Sequence, residues 1–209
     1  MMHVRFSPIT ADPPVLAGCL GFLEGGVRPV LEGQRGSLGL SILAGQESGD
    51  AIVESFWATQ EALWLSAETD DLLRAELARR VGRPVTAEEF EVPVFERKAP
   101  PGSGEAVRLT RAEVKPRGVP DVIDVYGDTA VPQLADTPGF RAALLFAAPD
   151  TGRLTSQTVW RQPAARTAGP SVASVLQREV LPEEDFEIRG VEDYSLVFSS
   201  ARKPTVPSD

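Results

Sequence analysis

The feature of this 209-residue sequence that most constrains its fold is a similarity between its two halves. When the chain is aligned with itself at an offset of 103 residues and without gaps, 16 of the 101 residue pairs from Met1 to Pro101 are identical. Composition alone would give about 7 identities. The clearest matches are Val4-Arg5 with Val107-Arg108, Gly36 with Gly139, Gly49 with Gly152, and Trp57 with Trp160. We therefore predict a tandem duplication in which both halves fold alike.

Each half has the same predicted order of elements. A short strand, at residues 3–6 or 106–109, precedes an amphipathic helix whose apolar residues recur at spacings of three and four, over residues 16–31 or 119–134. Two strands joined by a polar turn that contains a glycine then predict a hairpin, which ends at Trp57 or Trp160. A second helix, capped by Thr69 in the first half, and a last strand at 91–96 or 194–199 complete the order β-α-β-β-α-β.

This order, in about 100 residues, is typical of the ferredoxin-like arrangement, in which both helices lie on one face of a four-stranded sheet. In the third strand, Ile52 and Phe56 point to one face while Val53 and Trp57 point to the other, so both faces need cover. We predict an α+β fold in which two tandem ferredoxin-like (βαββαβ) halves pack sheet to sheet as an intrachain pseudo-dimeric α/β barrel. The predicted halves are residues 1–99 and 104–203, followed by a flexible tail at 204–209.

Composition excludes several classes of function. The 21 basic and 30 acidic residues give a formal charge of −9, so no basic surface is expected and nucleic acid is not a predicted partner. One Cys and one His exclude an intrachain disulfide and the usual His/Cys ligand sets, so we expect no metal and no redox cofactor. The apolar runs are shorter than the ~20 residues of a membrane span. We expect a cytoplasmic protein without a membrane partner, either a monomeric pseudo-dimer or a homodimer.

The run from Gly36-Ser37-Leu38-Gly39-Leu40 to Trp57-Ala58-Thr59-Gln60-Glu61-Ala62-Leu63 resembles the core of antibiotic-biosynthesis-monooxygenase-like domains of the dimeric α/β barrel superfamily. The second half keeps Gly139, Gly152 and Trp160 but differs at its helix start, where Pro163 lies. The resemblance implies a barrel that relatives build by dimerising and that this chain builds alone. It implies little about function, because the superfamily includes monooxygenases, haem-degrading enzymes, isomerases and proteins without known activity.

The haem-degrading branch can be tested on residues. Its members carry an Asn on the first strand and a Trp and a His on the second helix. This sequence contains no Asn, and the aligned helix positions are Ser66 and Ala75, with Gly169 and Arg178 in the second half. Haem degradation is therefore not expected.

Two functions remain open. One is a cofactor-independent monooxygenase-like enzyme acting on a small aromatic or oxidisable substrate, which the protein orients while it stabilises an enolate-like anion. The other is a non-catalytic small-molecule-binding or scaffold protein. A cavity larger than ~300 Å3 between helices and sheet, with a few convergent polar groups, would favour the enzyme, and solid cores would favour the scaffold.

No catalytic residue can be assigned, but seven residues are candidates for lining a substrate pocket: Arg5, Phe22, Trp57, Trp64, Arg108, Tyr126 and Trp160. A structural role is the simpler interpretation of the strand-ending tryptophans and of Tyr126. The two arginines need either an anionic ligand or an acidic partner such as Glu54. We expect one principal cavity in the first half, lined by Phe22 or Trp64, because the second half has Pro163 and small residues at that place.

Overall fold

The computed structural model describes residues 1–45, 49–168, 171–179 and 186–204, with the side chains of 166–168 excepted. Of the predicted tail, only residue 204 falls inside this range, and Gly169 also lies outside the described residues.

The chain contains strands and helices in the predicted order. The strands are β1 (Met2–Thr10), β2 (Ser37–Ala44), β3 (Asp50–Trp57), β4 (Glu88–Arg97), β5 (Ala106–Val114), β6 (Phe140–Ala148), β7 (Arg153–Trp160) and β8 (Phe186–Ser199). The α-helices are α1 (Pro13–Phe22), α2 (Arg28–Glu32), α3 (Gln60–Leu65), α4 (Ala67–Val81), α5 (Val119–Val125), α6 (Val131–Ala135), α7 (Pro163–Ala168) and α8 (Val172–Glu179).

In the described part of the chain, residues 1–89 and 196–204 form the first compact unit. Here β3 pairs antiparallel with β1 on one side and with β2 on the other. Beyond β8, the backbone N–H of Ser200 donates to the carbonyl oxygen of Leu40 on β2, at 2.8 Å. Apolar side chains from α1, α3 and α4 pack with those of the strands in one core: Ile9, Leu16, Leu40, Ile42, Val53, Trp57, Leu63 and Leu77.

Residues 90–195 form the second unit, with strands in the order β8-β5-β7-β6-β4 and every neighbouring pair antiparallel. Its core lies between the sheet and helices α5, α6 and α8. The units differ from the predicted halves because most of β4 pairs with β6 of the second half, and the chain after β8 pairs with β2 of the first. The boundaries of the halves themselves stay a prediction.

The element order and strand pairing confirm the predicted fold class, α+β with two ferredoxin-like halves of the pseudo-dimeric α/β barrel type. The glycine that lies immediately before β2 and before β6 is required by the packing at these strand starts. Gly36 and Gly139 both have positive φ, 80° and 89°. A Cβ there would lie 2.5 Å from Cβ of Ala62 or 2.7 Å from Cβ of Ala165, so a glycine lets the following helix pack against the strand start.

The first helical segment of each half is widened at the same place. Leu23–Val27 and Tyr126–Ala130 are π-helical and lie 103 residues apart, and each precedes a short α-helix with a proline in its first turn, Pro29 or Pro132. Proline has no N–H and its ring clashes with the carbonyl four residues earlier, so a wider turn before it relieves the clash.

The prediction that Thr69 caps a helix is wrong. Thr69 lies inside α4, which begins at Ala67, because the chain is already helical over α3 and turns tightly at Ser66. The cap is made earlier, where the Thr59 hydroxyl accepts a hydrogen bond from the backbone N–H of Ala62 at 3.1 Å.

Pro13–Glu32 is helical throughout its 20 residues, reaches a mean hydropathy of 1.2, and is 28% buried over the most apolar window. By length and composition alone it could cross a membrane, but a core helix of a soluble protein or an N-terminal signal sequence meets the same test. The expected absence of a membrane partner stays a prediction.

Candidate functional site

Arg5 lies at the centre of a buried polar cluster in the first unit. Its side chain is 3% exposed. Nε and Nη2 donate to Oε1 of Glu89 at 3.0 and 2.8 Å, Nη1 donates to Oγ of Ser66 at 2.9 Å, and Nη2 donates to the carbonyl oxygen of Leu63 at 3.0 Å. Oδ2 of Asp70 lies 3.7 Å from Nη1. Every guanidinium nitrogen thus has a partner within the chain, which is the arrangement of a structural ion pair.

Glu54 is not the partner of Arg5, contrary to the sequence prediction. In the β1–β3 pair, Arg5 lies opposite Ser55, and Glu54 lies opposite Phe6. Successive side chains of a strand point to opposite faces, so Glu54 and Arg5 lie on different faces of the sheet.

Arg108, the matching residue of the second half, has a different environment. Its side chain is 33% exposed, and its Nε and Nη2 donate to the two carboxylate oxygens of Asp193 at 2.9 and 3.0 Å. In the sequence, Gly169 and Ala173 stand where the first half has Ser66 and Asp70. The second half therefore lacks two residues of the buried cluster, although it keeps Glu192 in the position of Glu89.

The two strand-ending tryptophans are both buried. Nε1 of Trp57 donates to Oγ of Ser55 at 3.1 Å. Trp160 packs edge to face on Phe140, with ring centroids 5.6 Å apart, and its Nε1 has no hydrogen-bond partner among the described residues. These contacts agree with packing roles at the strand ends.

The remaining candidates are dispersed. The buried hydroxyl of Tyr126 donates to the carbonyl oxygen of Leu144 at 3.0 Å, and burial raises the pKa of Tyr126 above its usual value. Phe22 is partly buried, with the Arg80 guanidinium carbon 4.0 Å from its ring centroid, and Trp64 is 60% exposed. Arg5, Phe22, Trp57 and Trp64 belong to the first unit, and the other three candidates belong to the second. Their assignment to a substrate pocket stays a prediction.

A cavity lies in the second unit, between its sheet and helices α5 and α8, and has none of the seven candidates in its lining. Its volume is about 10 Å3, which is room for about one water molecule. The walls are mainly aliphatic, with Val122 and Leu176 on the helices and Phe186 on β8. We call it the second-unit cavity.

Polarity in this lining is confined to two hydroxyl side chains, those of Thr110 and Ser156. These residues are direct partners in the β5–β7 pair, so their side chains are neighbours on one face of the sheet. The lining includes no ionisable side chain. The cavity can therefore donate hydrogen bonds to a ligand and accept them, but it offers neither a general acid–base group nor an anion-binding cation.

At two lining positions the second half has smaller side chains than the first, although at another Leu154 is larger than the matching Ala51. Ala112 and Ser156 correspond, at the offset of 103, to Ile9 and Val53, which are buried in the core of the first unit. Our sequence reasoning missed these lining residues. The loss of side-chain volume at these two positions was visible in the sequence, but it does not show by itself that space remains.

Among the residues the structure describes, no group of three or more His, Cys, Asp or Glu side chains could hold a metal ion. Haem does not fit the second-unit cavity, because its lining has no nitrogen or sulfur ligand for iron.

Comparison with known proteins gives relatives of undefined function and structures of one fold. No family model matches the sequence. The uncharacterized protein Rv2557 of Mycobacterium tuberculosis is 26% identical over 204 residues, which cover 98% of this chain and 91% of that protein.

Among solved structures, an anthrone oxidase-like protein has a TM-score of 0.65 at 17% identity and covers 95% of this chain and 92% of its own. A ferredoxin-fold protein of Listeria monocytogenes related to antibiotic biosynthesis monooxygenases has a TM-score of 0.50 at 10% identity, with coverage of 94% and 95%. A heme-degrading enzyme from the same species has a TM-score of 0.51 at 11% identity, with coverage of 91% and 98%. At these identities the likeness concerns the fold alone. The chain thus has the fold of the antibiotic-biosynthesis-monooxygenase-like proteins of the dimeric α/β barrel superfamily.

Proposed function

We propose that this chain binds one small, uncharged and mainly apolar molecule in the second-unit cavity. The observation that carries the proposal is the paired hydroxyls of Thr110 and Ser156 in an otherwise apolar lining. Binding sites for small molecules generally combine apolar walls with a few polar groups that fix the orientation of the ligand. An ionic ligand is disfavoured, because no charged side chain in the lining would compensate for its desolvation.

Size limits the ligand further. Pockets for drug-sized ligands have volumes of roughly 300–1,000 Å3, and this cavity, at about 10 Å3, is far smaller. A ligand the size of a single ring therefore requires the helices that line the cavity to move away from the sheet. The volume also falls far below the one that we set as favouring an enzyme, so a non-catalytic role, in binding or as a scaffold, is the function that the geometry supports best.

Cofactor-independent oxygenation of the bound molecule is the second candidate function. It is supported by structural neighbours named as an anthrone oxidase-like protein and as related to antibiotic biosynthesis monooxygenases. A substrate that is itself electron-rich can reduce oxygen, so that the protein only has to orient it. Because the lining has no general base, the substrate must be one that loses its proton to solvent or is oxidised without losing one.

We also infer that the two halves arose by tandem duplication, which is supported by the π-helices and positive-φ glycines that recur at an offset of 103 residues. The cytoplasmic location, the monomeric pseudo-dimer or homodimer, and the absence of nucleic-acid partners stay predictions. The formal charge of −9 supports the last of these.

The binding test uses phenol and toluene, two single-ring probes that differ in one hydroxyl group, with binding measured by NMR saturation transfer and titration. The change Ala112→Ile places the first-half residue in the cavity and should abolish binding of both probes. The matched control Ile9→Val trims the corresponding first-half position and should leave binding unchanged. Overpacking a core lowers the free energy of unfolding by ~1–3 kcal/mol. Melting curves therefore check that each variant is folded.

The hydroxyl pair gives an independent test that does not alter the cavity volume. Thr110→Val combined with Ser156→Ala should weaken phenol binding about fivefold, which corresponds to one lost hydrogen bond of ~1 kcal/mol, and should leave toluene binding unchanged. Equal binding of phenol by wild type and both variants would contradict the proposal. For the second candidate, oxygen consumption with a hydroquinone in the presence of chelator should be lost in Ala112→Ile.

A further inference from the structure

Helices α3 and α4 of the first unit carry an outward face that the fold does not use. The inward side chains of these helices, Leu63, Ser66, Asp70 and Leu77, are buried. The opposite side presents Trp64, Leu65 and Leu72, which are 60%, 73% and 68% exposed. We call the exposed set the α3–α4 outer face: Glu61, Trp64, Leu65, Glu68, Asp71 and Leu72.

These residues follow helical spacing. Leu65 ends α3 and Leu72 lies in α4, so the turn at Ser66 separates them. Within each helix the exposed residues are three or four apart and share one side, as Glu61 and Trp64 do in α3 and Glu68 and Leu72 in α4. Seven large hydrophobic side chains are exposed within the described ranges, and three of them lie between Trp64 and Leu72. A contiguous exposed apolar patch marks an interaction site more often than scattered exposed residues do.

The second half indicates that folding does not require this face. At the offset of 103 residues, Trp64 and Leu65 are replaced by Thr167 and Ala168 in the sequence. Leu72 corresponds to Val175, which is buried in the core of the second unit. The exposed apolar side chains are therefore a property of the first half alone.

The negative charge of the α3–α4 outer face indicates which class of partner it binds. Glu61 and Glu68 are exposed beside the apolar residues and form no hydrogen bond or ion pair within the described residues, whereas Asp71 is already paired with Arg74. Acids in the first turn also favour their own helix N-termini, but at exposed positions they stay available to a partner. A second copy docked by the same face would bring like charges together, and anionic lipid would be repelled in the same way.

We propose that the α3–α4 outer face docks a basic amphipathic helix of a partner protein. Leu65, Leu72 and Trp64 pack against the apolar stripe of that helix, and Glu61 and Glu68 pair with its Lys or Arg side chains. This mode of recognition joins apolar anchors at helical spacing to charge complementarity. It is independent of the second-unit cavity and of what binds there.

The probe is a synthetic 14-residue amphipathic helix of Leu and Lys, compared with the same peptide carrying Glu in place of Lys. Trp57 and Trp160 are buried, so the long-wavelength part of the intrinsic fluorescence comes from Trp64. Titration with the Lys peptide should shift this emission to shorter wavelength in a saturable way, and added salt should weaken the binding. The Glu peptide should produce no shift.

Variants localise the binding. Leu65→Ser with Leu72→Ser, and separately Glu61→Gln with Glu68→Gln, should each weaken binding of the Lys peptide at least fivefold. Asp121→Asn with Asp124→Asn removes the same number of exposed charges from α5 and should change the affinity less than twofold.

Three results would overturn the proposal. Equal weakening by the α5 control pair would mean attraction to the net charge only. A blue shift that depends on protein concentration alone would identify a second copy as the occupant. A shift with vesicles of phosphatidylglycerol and phosphatidylcholine, without one for the Lys peptide, would identify a membrane.

Discussion

Arg5 and Arg108 occupy matching positions of the two halves, and we expect their removal to have very different effects on stability. Arg5→Ala deletes the cation from a buried cluster and leaves Asp70 and Ser66 without one of their partners. Breaking a buried ion pair costs about 3–5 kcal/mol. The cost here should be at the low end, about 3 kcal/mol, because Glu89 is 44% exposed and can be rehydrated, and because Asp70 keeps a hydrogen bond of 2.7 Å from Nε of Arg74.

Arg108→Ala is the matched control. Arg108 and its partner Asp193 have side chains that are 33% and 42% exposed, and exposed ion pairs contribute about 0–1 kcal/mol. For a domain of 150–250 residues, 1 kcal/mol corresponds to a Tm shift of roughly 2–4 °C. We expect Tm to fall by about 6–12 °C in Arg5→Ala and by no more than ~4 °C in Arg108→Ala.

Urea unfolding and calorimetry of the full-length variants measure both effects. A further variant, Arg5→Lys, keeps the charge but has three donors on one nitrogen, so it should recover only part of the lost free energy of unfolding. Equal destabilisation by the two alanine changes, or a cost below 1 kcal/mol for Arg5→Ala, would refute the structural role of the buried cluster.

Gly18→Ala should raise the free energy of unfolding by up to ~1 kcal/mol, because Gly18 lies in a helix and a Cβ there would meet nothing within 4 Å. Gly152→Ala should lower the free energy of unfolding by more than that, because Gly152 has a φ of 75° and a Cβ there would clash with a backbone carbonyl oxygen. Thermal melts that show the same sign for both variants would be inconsistent with the packing. Tyr126→Phe removes a buried phenol whose pKa is raised by burial, so the folded state favours the neutral form. The stability that the phenol adds over Phe should be full below the ordinary pKa of 10.0 and should decline as pH rises above it. Urea titrations from pH 8 to 11 that show no such decline would exclude this pH dependence. Trp57→Phe breaks a hydrogen bond to a serine hydroxyl whereas Trp160→Phe removes an N–H without a partner in the described part of the chain, so the first should be the more destabilising of the two by ~1 kcal/mol, as measured by chemical denaturation.

Most of the candidate site could not be predicted from the sequence. A cavity is a deficit of volume among side chains from several elements, here as far apart as Thr110 and Ile188, and whether neighbours fill it depends on packing. The replacement of Ile9 by Ala112 at matching positions was visible in the sequence. That this replacement left space in the second unit was not, because the adjoining helices could have moved closer to the sheet.

The sequence by itself determined the order of the elements, because this depends on local signals: helical and alternating periodicities and the glycines of the turns. It also determined that Arg5, on a mostly apolar strand, needs a partner, since an unpaired buried charge is too costly. Only the tertiary structure decided which partner. Strand register placed Glu54 on the other face of the sheet and brought Glu89, 84 residues along the chain, to the guanidinium, because cross-strand and helix–sheet contacts join residues that no local pattern connects.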